Sequence, residues 1–97
     1  MTEIRNKIRR ILDAEAAAIA AVEVSDAYEV ALEALVRCKG KVITTGIGKA
    51  GFIAQKFAAV LCSTGTPAVF IHPAEAAHGD LGLVSGGDVI IAFSTSG

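Results

Sequence analysis

Apolar side chains recur at three- and four-residue steps through the first part of the chain: Ile4, Ile8, Ile11, Ala18, Ile19 and Val22. With abundant alanine between them, this spacing predicts one amphipathic helix from Thr2 to Glu23. Glu15 breaks the pattern, because helical rotation puts it in the middle of the apolar stripe. Either its stem lies over apolar surface while the carboxylate reaches water, or it is a buried or interface acid paired with a base; the first reading is taken here. Ser25 and Asp26 are helix-start signals, and Asp26 with Glu29 has capping-box spacing. A second helix is expected to about Cys38, ended by Gly40, with Glu29, Glu33 and Arg37 outward and Tyr28, Leu32, Leu35 and Val36 buried.

The pattern then changes period. Lys41 to Gly46 is a short β-branched run, followed by Gly46-Ile47-Gly48-Lys49-Ala50-Gly51 and a helical stretch whose apolar side is Ile53, Phe57, Val60 and Leu61. Gly65-Thr66-Pro67 is a turn, and Ala68 to Ile71 a second strand. His72 to Asp80 is a loop with room for a short helix, and Ser85-Gly86-Gly87 turns into a third strand, Asp88 to Phe93, ending in Ser94-Thr95-Ser96-Gly97. Strands apolar on both faces and separated by helices predict right-handed βαβ units in a parallel sheet.

Composition sharpens this division. Of the 19 charged residues among 97, residues 1–41 hold 14, while residues 42–97 hold nine of the ten glycines. A charge-poor, glycine-rich half predicts a buried sheet, and the first 41 residues are expected to wrap it. Net charge is −1 and no basic stripe with aromatics is present, so no nucleic-acid partner is expected. The longest run without a polar side chain, Ala16 to Val22, is too short for a bilayer, and Asp13 and Glu15 interrupt any signal-like segment. A cytoplasmic chain with no membrane partner is expected, with Cys38 and Cys62 as reduced, small core residues.

In an open parallel sheet, ligands bind where loops at the carboxyl ends of adjacent strands diverge. With strand order 2-1-3, that crevice lies between Gly46–Gly51 and Ser94–Gly97. Glycines admit an anion close to the backbone, a following helix offers free N–H groups, hydroxyls of Ser94, Thr95 and Ser96 add donors, and Lys49 adds charge. Gly46, Gly48 and Gly51 satisfy GxGxxG, yet no carboxylate stands at the end of the second strand to hold a ribose, and the P-loop spacing also fails. His72, Glu75, His78 and Asp80 form the densest titratable cluster of this half. One or both imidazoles could bond a polyol or move protons near neutral pH. The plainer alternative has His72 and Asp80 capping turns and Glu75 facing water; function is preferred for His78.

Four segments carry a resemblance: Gly46 to Gly51, Ser63-Thr64-Gly65-Thr66-Pro67, His72 to Gly82 and Ser94 to Gly97. Together they are similar to the sugar isomerase (SIS) domain of the arabinose 5-phosphate isomerase family, the run HPAEAAHGDLG being the most specific part. The resemblance implies an α/β fold: a three-layer parallel sheet of the SIS, flavodoxin-like type, truncated after its third strand and preceded by two helices. Residues 1–41 would be the helical segment, and residues 42–97 the first half of the sheet domain. It implies interconversion of D-ribulose 5-phosphate and D-arabinose 5-phosphate through an enediolate, supplying Kdo for lipopolysaccharide.

By the same resemblance Lys49 matches a catalytic lysine, and Gly48, Gly65, Thr66, His72, His78, Ser94 and Ser96 match substrate contacts. The two serines correspond to the phosphate-binding loop. No cofactor is required, although His72 also matches a position that can hold zinc. A homo-oligomer is implied, with the stripe of the first helix as a contact. Ala50 replaces a serine common in the family, which removes one hydroxyl from the site. The family's remaining catalytic residues and its CBS modules would follow Gly97, so this chain alone is expected to bind sugar phosphate weakly without turnover. Two alternatives are a non-catalytic sugar-phosphate-sensing SIS domain and a 3-hexulose-6-phosphate isomerase; the His72–Asp80 loop argues against the latter.

Overall fold

A computed structural model describes residues 2–97. In chain order the elements are α1 (Thr2–Ala20), α2 (Asp26–Val36), β1 (Val42–Thr45), α3 (Lys49–Ser63), β2 (Ala68–Phe70), α4 (Pro73–Ala77), a 3-10 turn (Asp80–Leu83) and β3 (Val89–Ala92). The three strands form one parallel sheet, as the sequence predicts, and their order is β2-β1-β3, the order supposed above in placing the crevice. Val42 pairs with Ala68 on one side and Val89 on the other, and Thr44 with Phe70 and Ile91.

The central strand is the driest part of the chain. Val42, Ile43 and Thr44 are buried, and the Thr44 hydroxyl donates to the Ala54 carbonyl at 2.7 Å. This bond satisfies a hydroxyl that burial would otherwise leave unpaired, and it fastens α3 to the middle of the sheet. The side of α3 turned to the sheet is the line Gly51, Ala54 and Ala58, not the expected line of Ile53, Phe57, Val60 and Leu61. Ile53 and Val60 are exposed. Small residues win the buried side because they allow the helix axis to approach the strands, and the large ones are left outside. Phe57 keeps a partial role, its ring 5.4 Å from that of Phe93.

The N-terminal helices depart further from expectation. α1 stops at Ala20 and has no buried residue; α2 also has none. Tyr28, Leu32 and Val36, expected to be buried, are exposed, and only Leu35 of that edge is half-buried. Periodicity identifies an apolar face but not what covers it, and here neither helix wraps the sheet. The radius of gyration is 17.3 Å, with extents of 55 × 31 × 27 Å. A compact chain of this length has a radius of roughly 12–13 Å. The cap of α2 also moves by one residue: Ser25, in extended conformation, accepts from the Ala27 N–H, so the Asp26–Glu29 pair is out of phase with a capping box. The helix ends at Val36, with Arg37 as its C-cap.

At the amino edge of the sheet, Asp88 ties the outer strand to the central one. Its carboxylate accepts from Lys41 N–H at 2.9 Å, Lys41 Nζ at 2.8 Å and Ser85 N–H at 2.8 Å. The Lys41 hydrogen bonds hold the Asp88 carboxyl down at about 2, below its ordinary 3.8. Both thiols are free, as expected, but they are not core residues: Cys38 is half-buried and Cys62 exposed. Among the described residues no helix is long and apolar enough to cross a membrane.

Candidate functional site

At the carboxyl edge, β1 and β3 feed loops that part company. β1 runs into Gly46–Gly48 and then α3, while β3 runs into Ser94–Gly97. Between them lies a crevice of about 540 Å³, lined by both loops together with Thr45, Pro73 and Phe93. A smaller cavity of about 250 Å³ continues it toward Ile53 along the side of α3. This is the divergence point that the strand order demands.

Each glycine of the first loop has a distinct geometric reason. Gly48 has φ +63° and ψ −133°, a conformation closed to other residues, and forms the N-cap of α3 without a side-chain bond. Gly46 and Gly51 are buried against one another: a Cβ on Gly51 would lie 2.6 Å from the Gly46 carbonyl oxygen, and one on Gly46 3.0 Å from Ala50. The GxGxxG spacing is therefore explained by strand-to-helix approach, whatever the ligand. The result is a 15-residue helix whose first turn opens onto the crevice. Gly51 N–H bonds Ile47 O and Phe52 N–H bonds Gly48 O, whereas Lys49 and Ala50 N–H have no partner among the described residues. Those two amides, the positive helix end and the Lys49 side chain together suit an anion.

The facing loop is shaped by its own hydroxyl. Ser94 Oγ accepts from Gly97 N–H at 2.9 Å and Ser96 N–H at 3.3 Å, which curls the loop and leaves the Ser94 O–H proton as a donor. Thr45 closes the floor by donating from its hydroxyl to Ile71 O at 2.5 Å, joining the ends of β1 and β2. Thr45 and Phe93 line the crevice, and no motif in the sequence singles them out. Their signal is position, Thr45 as the last residue of β1 and Phe93 as the residue just past β3.

His72 and His78 bracket α4 on this same edge, next to the crevice wall at Pro73. They are held in opposite senses. His72 Nδ1 accepts from Ala74 N–H at 3.1 Å, so the neutral ring carries its proton on Nε2. His78 Nδ1 lies 2.6 Å from Ala74 O, an acceptor only, so that nitrogen must carry the proton and Nε2 presents a lone pair. One ring thus offers a donor outward and the other a base. Zinc does not fit His72 in this arrangement, because the lone pair a metal needs at Nε2 would require a proton on Nδ1, where Ala74 already donates. Among the described residues no three His, Cys, Asp or Glu side chains cluster as metal ligands.

The site residues named from sequence therefore divide. Lys49, Ser94 and Ser96 line one crevice, Gly48 shapes its rim, and His72 adjoins it through Pro73, with His78 at the other end of α4 and outside the lining. Gly65 and Thr66 do not join them: they precede β2, at the amino edge, where Pro67 O accepts from Val42 N–H. A four-residue strand puts the two edges on the order of 10 Å apart.

Known proteins share this arrangement. The chain is 56% identical over 70 residues to arabinose 5-phosphate isomerase KdsD of Escherichia coli, covering 72% of this chain and 21% of that protein. It is 44% identical over 91 residues to KdsD of Yersinia pestis, covering 92% of this chain and 28% of that protein. An Escherichia coli protein solved in complex with arabinose 5-phosphate superposes with a TM-score of 0.79 at 43% identity, over 94% of this chain and 50% of that one. A Bacteroides fragilis structure, named as a candidate phosphosugar isomerase involved in capsule formation, gives 0.87 at 46%, over 92% and 48%. The chain thus spans between about a fifth and a half of these relatives. The SIS domain pattern itself matches residues 35–97, which takes in the sheet, the glycine loop and the serine loop, and on that match the chain belongs to the SIS domain family.

Proposed function

We propose that this chain supplies the phosphate-binding half of a sugar-phosphate isomerase site, acting on D-arabinose 5-phosphate and D-ribulose 5-phosphate. The observation that carries the reading is the crevice itself, where Lys49, two unpaired helix amides and the serine loop border one space of about 540 Å³, roomy enough for a small sugar phosphate. The relatives named above as arabinose 5-phosphate isomerases, and the structure holding arabinose 5-phosphate, support the choice of sugar.

In this reading the phosphate group docks between the first turn of α3 and Ser94–Ser96. Fixing that end of the substrate restricts the sugar carbons to the neighbourhood of α4. Isomerisation moves a proton between C1 and C2 by way of an enediolate, so it needs a base and donors to the two oxygens. This reading assigns the role of base to His78 Nε2, whose lone pair is free, and that of neutral donor to His72 Nε2–H. Lys49 stands where its charge offsets the enediolate or the phosphate. Gly65 and Thr66, on the far edge, enter such a site only from another copy of the chain.

Titration of the isotopically labelled chain with D-arabinose 5-phosphate, followed by amide NMR, tests this. The amides of Lys49, Ala50 and Ser94–Ser96 should shift together, and arabinose without phosphate should leave them unmoved. Shifts confined to other segments, or equal responses to both sugars, would refute the assignment. Binding that is never accompanied by turnover in a complete protein would favour the sensing domain instead.

A further inference from the structure

In a parallel ladder every second residue of one strand bonds its neighbour through both its N–H and its C=O. Val42 N–H bonds Pro67 O, and Thr44 O accepts from Ile71 N–H at 2.9 Å, so the next bond of the series would run from Gly46 N–H to Ile71 O. The chain leaves the ladder at Gly46 for the glycine loop, and among the described residues that bond does not form. Ile71 is only 5% exposed, and a carbonyl left there without a donor would be costly. The Thr45 hydroxyl takes the place of the missing amide at 2.5 Å. A side chain thus supplies the last rung between β1 and β2.

Ile71 O belongs to the peptide unit that enters His72. Because that unit is planar, a donor fixed on its oxygen also fixes the direction in which the chain reaches His72. Little beyond it is free to turn. Pro73 locks the first residue of α4, His72 Nδ1 accepts from Ala74 N–H at 3.1 Å, and the imidazole stands edge-on to Phe70 with ring centroids 6.4 Å apart. Thr44 and Thr45, on opposite faces of β1, therefore hold different walls of the site. Thr44 fastens α3, which carries Lys49 and the two unpaired amides, and Thr45 fastens the segment that carries His72.

We propose that Thr45 is a positioning residue for the sugar end of the site. Through Ile71 O its hydroxyl sets the ring of His72, so that Nε2–H meets an oxygen of a sugar whose phosphate is held by α3 and the serine loop. The inference rests on the sugar-phosphate reading above and adds to it a residue that acts through another, since the Thr45 proton is committed to Ile71 O.

Ring signals of His72 in a long-range proton–nitrogen spectrum of the full, ligand-free chain give the direct readout. Thr45→Val keeps the shape and removes the donor, and should shift or broaden those signals. Thr45→Ala removes the same hydroxyl without setting a methyl against the Ile71 carbonyl and should act alike, whereas Thr45→Ser keeps the donor and should restore the parent spectrum. The second readout is the preference for D-arabinose 5-phosphate over inorganic phosphate, taken as the ratio of their dissociation constants from calorimetric titration. That preference should fall at least about fivefold in Thr45→Val and recover in Thr45→Ser. His72 signals unmoved in Thr45→Val and Thr45→Ala, an unaltered preference, or a serine that restores neither would overturn the proposal. A parent chain without any preference for the sugar phosphate would refute instead the reading on which the proposal rests, and the ring spectra would still decide whether Thr45 holds His72.

Discussion

Replacing Gly51 by alanine sets two effects of known sign against each other. Alanine is the better helix former by about 1 kcal/mol, so on propensity alone the substitution stabilises α3. The added Cβ, however, would sit 2.6 Å from the Gly46 carbonyl oxygen, a backbone atom at the end of the buried central strand. Neither side can yield by a rotamer change, so the glycine loop or the first turn of α3 must move by several tenths of an ångström. Overpacking of this kind costs about 1–3 kcal/mol, and a clash against backbone lies in the upper part of that range, about 2–3 kcal/mol, leaving a net loss of about 1–2 kcal/mol. In a chain of this size that lowers Tm by about 5–15 °C. The same displacement moves the unpaired Lys49 and Ala50 amides, so affinity for sugar phosphate falls along with stability. Thermal unfolding followed by circular dichroism gives the first quantity, and calorimetric titration with D-arabinose 5-phosphate the second. An unchanged or raised Tm would refute the steric argument. Gly48→Ala is the companion case: nothing stands near the new Cβ, and its cost, of order 1–3 kcal/mol, arises from backbone conformation alone.

Three further outcomes are expected. Asp88 has a folded pKa lowered to about 2 from 3.8, so its contribution is complete above pH 4 and is lost as pH falls from there toward 2. Tm measured across that range should decline less steeply in Asp88→Asn than in the parent chain; parallel curves would contradict the clamp. Thr44→Val keeps the shape but deletes the hydroxyl bond to Ala54 O, and urea denaturation should register a loss of about 1 kcal/mol. Lys49→Met should reduce sugar-phosphate affinity at least about tenfold and flatten its salt dependence, measured by titration at two ionic strengths, with Lys49→Arg retaining most of both.

The sheet is legible because its signals are local. A β-branched run, a glycine loop and a helix can be read from residues 41–63 alone, and the crevice location follows from a topology rule that holds across open parallel sheets once the strand order 2-1-3 is supposed. What escapes depends on distance in the chain. Asp88 reads as an ordinary strand opener until Lys41, 47 residues earlier, is beside it. The buried side of α3 differs from expectation because size suggests burial, whereas the contact with the sheet selects Gly51, Ala54 and Ala58 for being small. The exposed faces of α1 and α2 belong to the same class, since apolar periodicity states that a surface needs covering and is silent on what covers it. His72 is an instructive intermediate: a capping role is one of its two readings, and the Ala74 N–H bond supports it while leaving Nε2–H available.

The order β2-β1-β3 also has a consequence for synthesis. Strand β1, made before β2 and β3, becomes the middle strand of the three, and its second neighbour lies 47 residues downstream, Val42 pairing with Val89. At about 5–20 residues per second, the dry edge of β1 waits roughly 2–10 s on the ribosome before β3 exists. During that interval Val42-Ile43-Thr44 is an unpaired, apolar edge able to template another nascent chain. Polysomes translating this message at high density are where misassociation should begin, and slower elongation between residues 46 and 88 should aggravate it.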